Sequence, residues 1–202
     1  MKQWKIQPLN PPSVTRHCSK CGKPSQFECS GNFRVNANGR NLDVWLIYQC
    51  AKCNTTWNMA IFSRVKPEQI EAGLYQAFLH NDRETAMRYA FDPAILYRNK
   101  AEACFDEVAY RVEKSRVPGD CWLEVIAPYD FNLRLDRLLS EELGLSRTRV
   151  KKLLESGRIF SREMALTPKT KVKGTIAIEK LDDIEENEKD LGADEEMHKA
   201  AV

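Results

Sequence analysis

Leu42, Val44, Leu46 and Tyr48 alternate with Asp43, Trp45, Ile47 and Gln49, the period-two pattern of a strand with one face turned inward. Residues 26–33 are also strand-like, and Asn36-Ala37-Asn38-Gly39 supplies a turn between the two runs. Trp57, Met59 and Ile61 continue as a third strand. Together these runs predict a small three-stranded antiparallel sheet. Residues 1–17 read as an extended lead-in, because Pro8, Pro11 and Pro12 block a helix.

The period then changes. Pro67 suits a first helical turn, and Ile70, Leu74, Ala77 and Phe78 follow at helical spacing. Asn81 with Glu84 three residues on resembles a capping box for a second helix carrying Ala86, Met87, Ala90 and Phe91. Asp92-Pro93 starts a short third helix through Tyr97. Residues 101–113 fit a helix or a strand. Pro118-Gly119-Asp120 is a turn, and Leu123, Val125 and Ala127 alternate after it, so a hairpin is expected there. Further on, Leu135, Leu138 and Leu139 stripe one short helix, and Val150, Leu153 and Leu154 stripe another. Ser146 is a natural N-cap for the second of these helices and Gly157 a natural stop. The fold class is α+β, divided as 1–66 (ribbon with lead-in), 67–128 (helices and hairpin), 129–180 (a basic α+β module) and 181–202 (an acidic tail).

A chain of 202 residues with 43% hydrophobic content allows one or two modest domains. No run reaches eighteen apolar residues, and no apolar stretch follows Lys2 and Lys5, so neither a membrane span nor a secretory signal is expected. Seven cysteines, an odd number at metal-like spacing, fit a reducing cytoplasm. The net charge of +2 hides an asymmetry. Residues 181–202 hold nine acids against Lys189 and Lys199, a net of −7, which leaves +9 on residues 1–180. Residues 131–180 alone carry twelve Lys or Arg and six acids. A basic body with an acidic tail points to a polyanionic partner. The tail reads either as a solvated, disordered end or as an RNA mimic folding back on the basic helices.

Candidate chemistry concentrates first in the cysteines. Cys18-Ser19-Lys20-Cys21 and Cys50-Ala51-Lys52-Cys53 lie twenty-eight residues apart. Two residues between thiolates let one tight turn offer both sulfurs to one ion, and a second such turn completes a tetrahedral Zn²⁺ shell. Gly22 and Asn54 follow the pairs and tolerate a left-handed backbone, which aims N–H groups at the sulfurs. Four Cys ligands leave no open position, so the zinc is expected to be structural. His17 is a neighbouring surface histidine in this reading. Cys29, Cys104 and Cys121 are buried thiols.

The second concentration is cationic. Arg147, Arg149, Lys151, Lys152 and Arg158 avoid the apolar stripe of their helix, and only Glu155 balances them within residues 146–158. Cations beside an outward-pointing helix start form a cradle for phosphates. Arg134-Leu135-Asp136, then Ser146-Arg147, then Gly157 resemble, in order and spacing, the small RNA-binding module of ribosomal small-subunit protein four, here the S-four module. The resemblance implies that Arg134, Ser146, Arg147, Arg149, Lys151, Lys152 and Arg158 grip structured RNA, either rRNA or tRNA. The sequence departs from that module at Phe160-Ser161-Arg162-Glu163, where a Val-Asn-Gly turn is usual, and at Gly174-Thr175, where Gly-Asp is usual. Cysteine ribbon, helical middle and S-four-like end together resemble a bacterial family defined by a domain of unknown function.

The functional expectation is a cytoplasmic RNA-binding protein with a structural zinc, no membrane contact and no small-molecule substrate. The alternative is an interaction adaptor whose ribbon docks a protein partner. No nucleophile-and-base set or glycine-rich phosphate loop stands out, and His17, His80 and His198 are scattered, so no enzymatic activity is expected.

Overall fold

A computed structural model describes residues 1–181, so the tail reading, beyond Leu181, lies outside the described residues. The elements in chain order are β1 (Lys2–Pro8), β2 (Ser13–Cys18), β3 (Lys23–Asn38), β4 (Asn41–Cys50), β5 (Thr56–Val65), α1 (Ala72–Leu79), α2 (Arg83–Ala90), α3 (Pro93–Arg98), β6 (Glu102–Cys104), β7 (Tyr110–Arg116), β8 (Leu123–Ala127), α4 (Leu135–Leu143), α5 (Arg147–Glu155), β9 (Ile159–Phe160) and β10 (Gly174–Lys180). The described residues form a mixed α+β fold with two five-stranded sheets. None of its described helices is long and apolar enough to cross a membrane. Among the described residues two compact units form, residues 7–111 and residues 1–6 with 112–181.

In the 7–111 unit the strand order is β5-β4-β3-β2-β6, antiparallel throughout. The alternation read from β4 holds, since Leu42, Val44, Leu46 and Tyr48 are buried. The sheet has five strands where three were expected, because part of the lead-in pairs as β2 and residues 102–104 add an edge. The helices are also not a separate segment. Phe78, Ala86, Ala90, Ile95 and Leu96 share one apolar core with Val14, Phe27, Phe33, Leu46, Met59 and Ile61. Phe33 meets Phe78 edge-on at 4.9 Å between ring centroids. Amphipathic helices of six to eight residues cannot persist alone, so the inner face of the sheet is where they acquire stability.

Local capping differs from the sequence reading in two places. Pro67 opens a separate 3-10 turn, Ile70 is extended, and α1 begins only at Ala72. The capping residue of α2 is Asp82, whose Oδ1 accepts from the Thr85 N–H at 2.7 Å. Asn81 instead takes a left-handed backbone (φ 54°), and its Oδ1 accepts from the Phe33 N–H at 2.6 Å. That contact helps fix the end of a β-bulge between Cys29 and Phe33.

In the other unit the order is β7-β1-β8-β10-β9. The hairpin expected across Pro118-Gly119-Asp120 does not form. β1 inserts between β7 and β8 and runs parallel to β8, with Trp4 opposite Val125. Residues 101–113, ambiguous in sequence, contribute strands at both ends, β6 and the start of β7. The sheet buries Trp4, Ile6, Leu123, Val125, Ile176 and Ile178, and the helices bury the leucine and valine stripes foreseen for them. Ser146 caps α5, accepting from the Arg149 N–H at 3.2 Å, and Gly157 follows the helix with φ 68°.

Candidate functional site

Cys18 ends β2 and Cys50 ends β4, so each cysteine pair occupies the tip where one strand turns into the next. The two turns are built alike. The Gly22 N–H donates to the Cys18 carbonyl at 2.9 Å, the Asn54 N–H donates to the Cys50 carbonyl at 2.9 Å, and both turning residues have positive φ, 67° and 59°. Pairing of β3 with both β2 and β4 sets the tips side by side. All four sulfurs lie within 4.8 Å of one another, with Cys18 and Cys53 at 3.5 Å and Cys21 and Cys50 at 4.0 Å. They form no disulfide.

This cluster can hold a metal ion. Its thiols are already unequal. The Thr55 hydroxyl and backbone N–H pull Cys53 down to about 6, while hydrogen bonding to Cys53 and burial push Cys21 up to about 12. Burial raises Cys50, but the backbone N–H groups of Lys52 and Cys53 outweigh it and bring it below its ordinary value. His17 is exposed and stands outside the cluster. Cys29, Cys104 and Cys121 also lie outside it and are only half-buried.

The cationic residues gather in the other unit, and α4 explains how. Its N-cap is Arg134, which offers no capping oxygen. The first N–H groups of α4 are met instead by carbonyls of a neighbouring turn, Leu135 by Thr170 at 2.8 Å and Asp136 by Pro168 at 3.4 Å. Val172 and Leu133 extend this pairing at 2.7 Å. The 167–170 turn is thereby fastened beside the start of α4, and Lys169 comes with it.

Asp136 is the centre of the arrangement. Its side chain is 7% exposed and accepts a fork from Arg134 (Nε to Oδ1 3.0 Å, Nη2 to Oδ2 2.8 Å) and a third bond from Arg147 (Nη2 to Oδ2 2.9 Å). Burial alone would raise the Asp136 carboxyl, but the two guanidinium groups overcome it and hold it below its ordinary value. One carboxylate thus serves two arginines whose side chains remain 42% and 54% exposed, so a positive charge is left over. Arg134, Asp136, Arg147, Lys151, Glu155 and Lys169 line a cleft of about 480 Å³. Lys151 lies 3.7 Å from Glu155, an exposed pair one turn apart. Arg149 and Lys152 are exposed but line no part of the cleft, Arg149 lying on nearly the opposite side of α5 from Arg147 and Lys151, and Arg158 is half-buried past its end. Ser146 acts through its cap rather than as a cleft wall.

Sequence reasoning underrated Asp136 and Lys169. An acid two positions after Arg134 in the first turn of a helix was the available signal for Asp136. Lys169 was legible only as added positive charge together with Lys171 and Lys173, because the capping of α4 by a distant turn is what brings it to the cleft.

Residues 35–165 match a family model described as "Protein of unknown function (DUF1062)". The chain belongs to the DUF1062 family. No curated protein and no solved structure matches it. The span matched to DUF1062 takes in Cys50, Cys53, Arg134, Asp136 and the whole of α5, but begins after Cys18 and Cys21 and ends before Lys169.

Proposed function

We propose that this DUF1062 protein is a cytoplasmic RNA-binding protein, in which a structural zinc ties together a ribbon at Cys18, Cys21, Cys50 and Cys53 and an S-four-like helix pair grips structured RNA. The observation that carries the RNA reading is the sharing of Asp136 between Arg134 and Arg147, which leaves unbalanced cations on a concave surface. Phosphate oxygens are natural partners of such half-exposed guanidinium groups, whose N–H donors outnumber those given to Asp136. Arg149 and Lys152 add exposed positive charge elsewhere on α5. Double-stranded RNA is read chiefly by shape and phosphate contacts, so rRNA or tRNA suits a surface on which charge outweighs aromatic groups.

The ligand chemistry supports zinc. Tetrahedral coordination at the usual Zn–S length of about 2.3 Å sets sulfurs about 3.8 Å apart; the Cys18–Cys53 and Cys21–Cys50 separations of 3.5 and 4.0 Å lie either side of that value, and all four sulfurs lie within 4.8 Å of one another. Four thiolates fill the shell, so the ion would brace the two strand tips rather than activate water. Metal analysis of the purified chain should find one zinc per molecule, lost on replacing Cys50 and Cys53 by serine.

Reversing Arg147 and Lys151 to glutamate tests the RNA reading. Both side chains are more than half exposed, so the fold should survive. Binding to structured RNA should fall by at least a hundredfold, and each lost phosphate contact should reduce the salt slope by about one. Unchanged affinity in the double variant would overturn the proposal.

A further inference from the structure

Arg147, Lys151 and Glu155 are spaced four apart on α5, so they run in one line along the helix. The cleft therefore has polarity. At its start stand Arg147 and Arg134, joined through Asp136, with Lys169 also on the wall. About 12 Å farther along the helix axis, at a rise of roughly 1.5 Å per residue, stands the carboxylate of Glu155. The remaining wall, Thr148, Thr167 and Pro168, offers methyl and ring carbons.

A continuous sugar–phosphate backbone laid along this line would bring a phosphate against Glu155. A duplex cannot enter a concavity of about 480 Å³, which is instead of small-ligand size. We infer that the cleft accepts one unpaired nucleotide of a structured RNA, its phosphate held by Arg134, Arg147 and Lys169 and its base edge read by Glu155. A carboxylate only accepts hydrogen bonds, so it favours a base presenting two N–H groups side by side, as guanine does. Adenine places a ring acceptor beside its amino group and would oppose the second carboxylate oxygen. Lys151, paired with Glu155, tempers the carboxylate's repulsion of the rest of the RNA.

The inference rests on the RNA reading and can fail separately from it. Fluorescence anisotropy at fixed salt would compare three labelled hairpins of one stem: fully paired, with one unpaired guanine, and with one unpaired adenine. GMP would serve as competitor. The guanine hairpin should bind about tenfold tighter than the paired one and several-fold tighter than the adenine one. Glu155 is exposed at the last position of α5, so Glu155→Ala should fold normally and bring the guanine and adenine hairpins within twofold of each other. Equal binding of all three hairpins by the unaltered chain would overturn this inference and leave the RNA reading standing. Binding of none of them would overturn both. Saturable GMP binding that no hairpin displaces would overturn RNA as the source of the nucleotide.

Discussion

Replacing Asp136 by asparagine keeps the shape of the side chain and removes its charge. Three hydrogen bonds from two guanidinium groups then lose their ionic partner. A hydrogen bond to a charged group contributes about 1.5–3 kcal/mol. The arginine ends are half exposed, however, and water would recover much of that. The net cost should therefore be about 1–2 kcal/mol, concentrated at the start of α4. Hydrogen exchange reads this locally: the buried Leu138 and Leu139 amides should exchange roughly five- to thirtyfold faster at neutral pH. The effect should also titrate. The Asp136 carboxyl is held below its ordinary value of 3.8, so its contribution is whole above that pH and is lost as pH falls through the lower folded-state value. Exchange in the original and substituted chains should converge in strong acid. A difference that persists undiminished there, or no difference at neutral pH, would refute the view that Asp136 acts as a shared anion.

Chelation should release the proposed zinc and loosen the tips of the β2–β3 and β4–β5 connections while the core between sheet and helices stays folded, because that core buries Phe27, Leu46, Met59, Ile61 and Phe78 without it; far-UV circular dichroism before and after chelation checks this, and complete unfolding would count against it. Since the ligands must be thiolates, zinc affinity should weaken as pH falls, which a competition titration would show. Asn81→Ala removes the acceptor for the Phe33 N–H and puts alanine at φ 54°, so a loss of about 2 kcal/mol in denaturant unfolding is expected. Among the described residues the Tyr48 hydroxyl is buried with no nitrogen or oxygen partner, its polar neighbour being the Cys29 thiol of the paired strand. Tyr48→Phe should consequently be neutral, or stabilising by up to about 1 kcal/mol, in the same assay.

Features governed by a few neighbouring residues were legible in the sequence. The cysteine spacing announces two matched turns, Ser146 and Gly157 bracket α5, and Asp92-Pro93 opens α3 as expected. Long-range pairing left no such mark. Nothing near Pro118 reveals that β1 would displace a hairpin, because the competing partner lies more than a hundred residues away. The three-stranded reading of the ribbon failed for a related reason. An edge strand of three residues, such as β6, carries too little pattern to be seen before its partner β2 is in place. At the cleft, the cations on α5 were visible as an excess of one sign. Their arrangement around Asp136 and the turn at Lys169 was not, since it depends on which backbone carbonyls cap α4.

The interleaving of β1 with β8 also sets a timetable for biosynthesis. Lys2 pairs with Leu123, and translation at about 5–20 residues per second puts roughly 6–24 s between them. During that interval the indole of Trp4 and the side chain of Ile6, both destined for burial, have left the ribosome without their neighbours. The cysteine-bearing stretch, residues 7–111, is fully synthesised first and can mature as an insert. Nascent chains arrested once residues 7–111 have emerged from the ribosome, but before Leu123 has, should accordingly acquire the proposed ion while their leading strand stays open to chaperones.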